Sequence, residues 1–171
     1  MSHPDEGSSA VSTLCQHCGL CCDGNLFDHV PLREAEVDTM RRLSLTMVTR
    51  KDGSPALAQH CTALKGRVCT AYADRPEGCR RYHCTLFSAL AEGEVSLNEA
   101  LSVVGEAHAR IQAVEAVLPA PGADAPQAVL QRARREDLVE NGGPLSDQSR
   151  EMWTRAEDWL DRHFRGRQRR R

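Results

Sequence analysis

Eight of the 171 residues are cysteines, and all eight fall between Cys15 and Cys84: Cys15, Cys18, Cys21, Cys22, Cys61, Cys69, Cys79 and Cys84. The first four make up the run Cys15-Gln-His-Cys18-Gly-Leu-Cys21-Cys22. Gaps of two residues let a backbone curl so that successive sulfurs converge on one centre. A thiolate is a soft donor suited to zinc, copper(I) and iron–sulfur clusters. Gly19 supplies the positive φ that such a loop needs and lets backbone N–H groups approach the sulfurs. Neighbouring cysteines point their side chains apart, so one of Cys21 and Cys22 is expected to face a second metal or to remain a free thiol. Disulfides would also suit an even count, but they need an oxidising compartment. The N-terminal residues Met1 to Ala10 have neither the basic start nor the apolar run of a secretory signal. Buried, inert cysteines occur singly and do not cluster at these gaps. Metal ligation is therefore the reading for all eight, in a cytoplasmic setting.

The choice of metal stays open on residue types alone. Zinc sites join two separate knuckles, and Cys15-x₂-Cys18 with Cys79-x₄-Cys84 fits that description. A C-x₂-C-x₂-C run with a distant fourth thiolate is instead the arrangement of ferredoxin clusters, although the x₃-C-P continuation is missing. This tips the reading toward iron, as an iron–sulfur cluster, with Zn²⁺ as the alternative. Iron–sulfur would allow electron transfer or redox chemistry. Zinc would make the region a structural or adaptor module. His17, His29, His60 and His83 lie in the same region, and His60 and His83 immediately precede Cys61 and Cys84. They read as ligands, as donors to ligands, or as solvated side chains. Metal binding should be coupled to folding, because the segment has little apolar content of its own.

The run Cys15-x₂-Cys18-x₂-Cys21-Cys22 is followed by Cys69-Thr-Ala-Tyr72-Ala-Asp-Arg75-Pro76-Glu-Gly-Cys79-Arg80-Arg-Tyr82-His-Cys84. Over roughly residues 14 to 90 this resembles the YkgJ-type cysteine-cluster family, whose domain is described as zinc- or iron-chelating. Both halves match in order, including the Tyr before Arg-Pro and the aromatic two residues before the last Cys. The resemblance implies that these cysteines chelate metal, and it implies no substrate. Arg75 and Arg80 beside Cys79 are candidates to offset thiolate charge or to pair with a carboxylate such as Asp74. Pro76 directs the chain into the Cys79 turn.

Around these residues the chain reads as α+β. Residues 1–13 form a polar leader, and 14–92 a loop-rich cysteine domain with short strands, a hairpin and a helix. A long helix over 93–118 packs on that domain, followed by a Pro-rich linker at 119–126, a helical extension at 127–164 and an Arg-rich tail at 165–171. Cys15 to Asp23 is too rich in Cys and Gly for regular structure. An extended segment is expected at 27–32, with Pro31 at an edge. A helix follows at 34–43, then β character at 45–50 closed by Lys51-Asp52-Gly53, and a hairpin turning at Lys65-Gly66. Ser96-Leu-Asn-Glu99 is a capping box opening the long helix. Leu97, Leu101, Val104, His108, Ile111, Val114 and Leu118 form its apolar stripe. Met152, Trp153, Ala156, Trp159, Leu160, His163 and Phe164 share one face of the last helix, as core or as a docking surface for a protein partner.

Composition sets the outer bounds. Hydrophobic residues are 40% and charged residues 27% of the chain, which excludes wholesale disorder, and no apolar run could span a bilayer. A net charge of −2 argues against nucleic acid as partner, even though five of the 22 basic residues crowd into positions 165–171. That tail reads as a solvated end whose removal leaves metal content and fold intact, or, in the zinc-adaptor alternative, as part of a surface that binds a partner protein or nucleic acid. No nucleotide-binding glycine loop, hydrolase elbow or H-E-x-x-H helix occurs. Enzyme status is open. Asp23, Asp28 and His29 are the nearest acid–base candidates, against a surface-loop reading.

Overall fold

A computed structural model describes residues 4–138 and 145–166; positions 1–3 of the expected leader, 139–144 of the expected helical extension and five of the tail positions fall outside the described residues. The first helix, α1, spans Pro4–Cys18. It runs through both the expected leader and the start of the expected irregular loop. Its helical pattern is faint in the sequence because polar Ser and Gly dominate the first turns. Its apolar side is carried by only a few residues, with Leu14 just 2% exposed. Helices pack by such a face rather than by propensity alone.

Three short strands follow: β1 (His29–Pro31), β2 (Met47–Thr49) and β3 (Pro55–Ala58). They form an antiparallel sheet in the order β1-β3-β2, with Val30 opposite Leu57 and Met47 also opposite Leu57. Pro31 does lie on an edge strand, where its missing N–H breaks no ladder bond. The central strand, Pro-Ala-Leu-Ala, has weak β propensity and was not expected. The Asp52-Gly53 turn was its only signal: Asp52 Oδ1 accepts the Ser54 N–H at 3.0 Å, and Gly53 has φ 83°. Between β1 and β2, a 3₁₀ turn (Glu34–Glu36) leads into α2 (Val37–Arg42), which buries Met40. A hairpin pairs β4 (Leu64–Lys65) with β5 (Val68–Cys69), so its turn residues are Gly66-Arg67, one position later than expected. Gly66, at φ 61°, takes the left-handed position.

Two short helices, α3 (Glu77–Arg81) and α4 (Thr85–Ala91), complete the cysteine region. The capping box then opens α5 (Leu97–Val117): Glu99 N–H donates to Ser96 Oγ, and Ser96 N–H to Glu99 Oε2. The buried residues of α5 are Ala100, Val104, Ala107, Ile111 and Val114. Its stripe therefore includes two alanines, which permit close helix approach. After the Pro-rich segment come α6 (Val129–Leu138) and α7 (Asp147–Leu160), the latter ending in a π turn over Asp161–Arg165 with Gly166 left-handed at φ 67°.

The buried side chains divide into two clusters. Helices α1, α4, α5, α6 and α7 share one, centred on Leu20, Val104, Val114, Leu130, Leu160 and Phe164. The sheet and α2 share the other, around Val30, Met40, Leu45 and Leu57. Met152, Trp153 and Trp159 pack against the helical cluster, and Trp159 Nε1–H donates to Val103 O at 3.3 Å. The face that sequence left open between core and docking surface is thus engaged within the chain.

Candidate metal centre

All eight cysteines line one cavity of about 240 Å³, between the two buried clusters. All are free thiols. Cys15 and Cys18 sit three apart in the last turn of α1 and so share a helix face. Gly19 then ends the helix at φ 68°. It is packed so closely on Arg67 that an added Cβ would lie 3.1 Å from the Arg67 Cα. Gly19 O accepts from both Cys22 N–H (3.0 Å) and Asp23 N–H (2.9 Å), which folds the chain tightly across Cys21 and Cys22. Cys22 O in turn accepts from Cys61 N–H at 2.7 Å, tying the run to the chain that leaves β3. Cys69 ends β5, Cys79 lies in α3, and Cys84 caps α4.

The thiols fall into two sets of four. Burial is the largest influence on nearly every one and raises its pKa; the neighbours that act after burial identify the sets. Cys18 is pushed up to about 12 by burial and then by Cys84 and Cys15, with the Leu20 backbone N–H opposing the shift. Cys21 is driven well above the ordinary thiol value by burial, then by Cys18, Cys84, its neighbour Cys22, and Cys15. Cys15 is exposed at the rim, yet the protein around its sulfur still desolvates it, and Cys84 adds to the rise. Cys22 is also pushed up to about 12, but by burial and then by Cys69, Cys61 and Cys79. Cys79 reaches about 11 through burial, then Cys61 and Cys69. The first set is Cys15, Cys18, Cys21 and Cys84; the second is Cys22, Cys61, Cys69 and Cys79.

Packing divides them in the same way. Cys18, Cys21 and Cys84 pack in the helical cluster, whereas Cys22, Cys61, Cys69 and Cys79 pack in the sheet cluster. Cys79 and Cys84, which sequence offered as one knuckle, stand in different sets. In the first set a peptide N–H donates to a sulfur, Phe87 N–H to Cys84 Sγ at 3.3 Å. Such a bond favours the thiolate over the thiol.

Among the described residues, no three His, Cys, Asp or Glu side chains converge closely enough as they stand to form a single-ion site. The thiols ring a space. Packing several ionisable sulfurs together out of water is unfavourable unless a cation compensates them, and soft metals bind this donor set. The carboxamide oxygen of Gln59, 8% exposed in the cavity wall, also has no hydrogen-bond partner among the described residues. The residues present therefore fit a bound metal group.

Of the four histidines singled out from sequence, His83 lines the cavity and stacks on Phe87 with centroids 4.2 Å apart. His17 bonds Thr13 O within α1, and His29 pairs with Asp28 at 2.7 Å on the surface; neither lines the cavity, nor does His60. Asp23 does not line the cavity, although its charge adds to the rise of Cys18 and Cys22: its carboxylate accepts the Asn25 N–H at 2.8 Å, and burial raises its pKa to about 6. The acid–base candidates do not meet at the site.

What sequence could not show is how far the C-terminal helices reach into the cysteine loop. His108 Nε2–H donates to Cys18 O at 2.7 Å, and Gln131 Nε2–H to Gly24 O at 2.7 Å. Asn25 Oδ1 accepts the Leu130 N–H at 3.0 Å. Arg165, the first residue of the supposed solvated tail, donates to Leu26 O (3.1 Å) and Asn25 O (2.9 Å) and pairs with Glu157 (2.8 Å) and Asp161 (2.9 Å). Its side chain is only 11% exposed. Arg165 is therefore not part of a solvated end. A buried arginine across more than 100 residues of sequence leaves no local signal.

A paired-thiol site spanning a helix terminus, a hairpin and two short helices defines a cysteine-cluster metal-chelating fold. The family model for the CxxCxxCC domain, described as a putative zinc- or iron-chelating domain, matches residues 14–102, and the chain belongs to that family. No curated protein and no solved structure matches significantly. Among the described residues, no helix is long and apolar enough to cross a membrane.

Proposed function

We propose that the protein binds two metal centres, one held by Cys15, Cys18, Cys21 and Cys84 and the other by Cys22, Cys61, Cys69 and Cys79, and that the metal is iron in iron–sulfur clusters serving electron transfer. The observation that carries this reading is the split at Cys21-Cys22, where two adjacent thiols join different sets in different buried clusters. Three closely spaced thiols of one run plus a distant fourth is ferredoxin-like ligation, and here the extra cysteine of the run serves the other set. Sulfurs that surround a cavity rather than a point suit a polynuclear group. When bound, such a group supplies one-electron chemistry; the chain supplies the thiolates, the N–H bonds that stabilise them, and an apolar wall that keeps water out. Free thiols in this number also suit a reducing, cytoplasmic compartment.

The test is anaerobic purification followed by iron, sulfide and zinc analysis of wild type, Cys18→Ser and Cys22→Ser. Two clusters per chain, falling to one in each variant, is the expected result. Stoichiometric zinc in a colourless sample would overturn iron. A single centre lost equally in both variants would overturn the two-set assignment.

A further inference from the structure

Arg75 is a motif residue that thiol ligation leaves without a role. It follows the 3₁₀ turn Tyr72–Asp74 and precedes Pro76, whose carbonyl accepts the Cys79 N–H at 3.0 Å and so starts the turn carrying that cysteine. The guanidinium lies flat on the Tyr72 ring, Cζ 3.6 Å from the centroid, and its Nε–H donates to Tyr72 O at 3.1 Å. The backbone is pinned as well, since Arg80 Nε–H donates to Arg75 O at 2.7 Å. Arg75 lines the cavity shared by all eight thiols. Among the described residues it forms no ion pair with a carboxylate, and the pairing with Asp74 raised by the sequence is not made. A fixed cation in a cavity wall, stacked on an aromatic and without a carboxylate counter-ion among the described residues, is available to offset negative charge in the cavity. The cavity wall it occupies is shared with thiols of both sets, Cys15 and Cys79 among them.

We propose that Arg75 is a charge-compensating residue common to both centres, holding its guanidinium against Tyr72 so that it offsets negative charge on each four-thiolate set and eases the uptake of an electron by each. The inference rests on the two-centre reading. Its physical basis is that adding an electron to an anionic centre is opposed by the charge already there, and a nearby fixed cation relieves that opposition. The effect is expected at both centres because Arg75 lines the one cavity that the thiols of both sets line. Tyr72 and Arg80 act as positioning residues, one as platform and the other as backbone anchor.

The test is anaerobic potentiometric titration of the full chain with dithionite as electron donor, each centre followed by its electron paramagnetic resonance signal. Arg75→Gln should lower both midpoints, by about a tenfold change in each reduction equilibrium, equivalent to about 59 mV for a one-electron couple. Arg75→Lys, which keeps the charge, should recover most of the shift. Arg75→Met, which keeps the stem along the ring, replaces the glutamine variant if the latter does not fold. A shift at one centre alone overturns the sharing, and no shift at either overturns the proposal entirely. Should the wild type carry zinc, the iron reading fails and Arg75 is judged by chelator competition. Zinc should then leave both centres about tenfold faster in Arg75→Gln than in Arg75→Lys, and equal release rates would refute the role.

Discussion

Replacing Arg165 by methionine should destabilise the protein by about 3–5 kcal/mol, the usual cost of removing one partner from a buried charge network. The burial of the three charged groups places the residue in that class. The guanidinium is 11% exposed and faces carboxylates that are 4% (Glu157) and 9% (Asp161) exposed. Without it, those two acids lose a shared cation, and the Asn25 and Leu26 carbonyls lose buried donors. Glu157 keeps partial compensation from Arg134 at 3.4 Å and Trp153 Nε1–H at 3.1 Å, so the loss is not complete. Thermal and urea unfolding of the metal-loaded protein would measure it. For a chain of this size the cost corresponds to a fall of roughly 6–20 °C in Tm. Truncation after Gly166 should change little, because the clasp is intact. Adding Glu157→Gln and Asp161→Asn to Arg165→Met should restore part of the stability by discharging the site. An Arg165→Met variant within about 1 kcal/mol of wild type would refute the view that this residue locks the C-terminal helices onto the cysteine loop.

Other outcomes follow from the same geometry. Gly78→Ala places a Cβ 2.7 Å from Val30 Cγ1 and 2.8 Å from Pro31 O; it should cost about 1–3 kcal/mol and loosen metal at the Cys79 set first, read by thermal melting and metal retention. Leu86→Ala, at a residue 5% exposed beside Cys84, should cost about 2–5 kcal/mol by urea denaturation, with less than 1 kcal/mol speaking against its place in the core. Chelator-stripped protein should lose stability as pH rises from about 9 toward 12. Cys18 and Cys22 (about 12) and Cys79 (about 11) hold their protons more tightly when folded than at the ordinary value of 9.0, so their contribution is complete below about 9 and is lost progressively as pH rises to the folded values of about 11 and 12. Metal-loaded protein should behave oppositely, releasing metal as pH falls and protons compete for the sulfurs. Urea midpoints at pH 7 and 10, with and without metal, would check both signs.

The chemistry was legible because it is local. Two-residue gaps and a glycine within Cys15 to Cys22 announce a turn that gathers sulfur, and the capping box at Ser96 announces a helix, since each acts within one turn of chain. The α+β class and the family could likewise be read from the order of short motifs. Propensity failed where packing overrode it: the Pro-Ala-Leu-Ala strand survives because Leu57 is 2% exposed between two partners, and α1 forms over a polar leader because Leu14 reaches the helical cluster.

Which thiol stands with which was a different kind of question. Cys79 and Cys84 are close in sequence yet belong to separate sets, because α3 lies against the sheet while α4 joins the helices. The roles of His108, Gln131 and Arg165 likewise depend on contacts spanning 90 to 140 residues. Residue types and spacing determined what these side chains can bind. Only the folded chain decided how they are grouped, because a sulfur's neighbours across a cavity are set by the packing of whole helices and strands, and no short stretch of sequence encodes that.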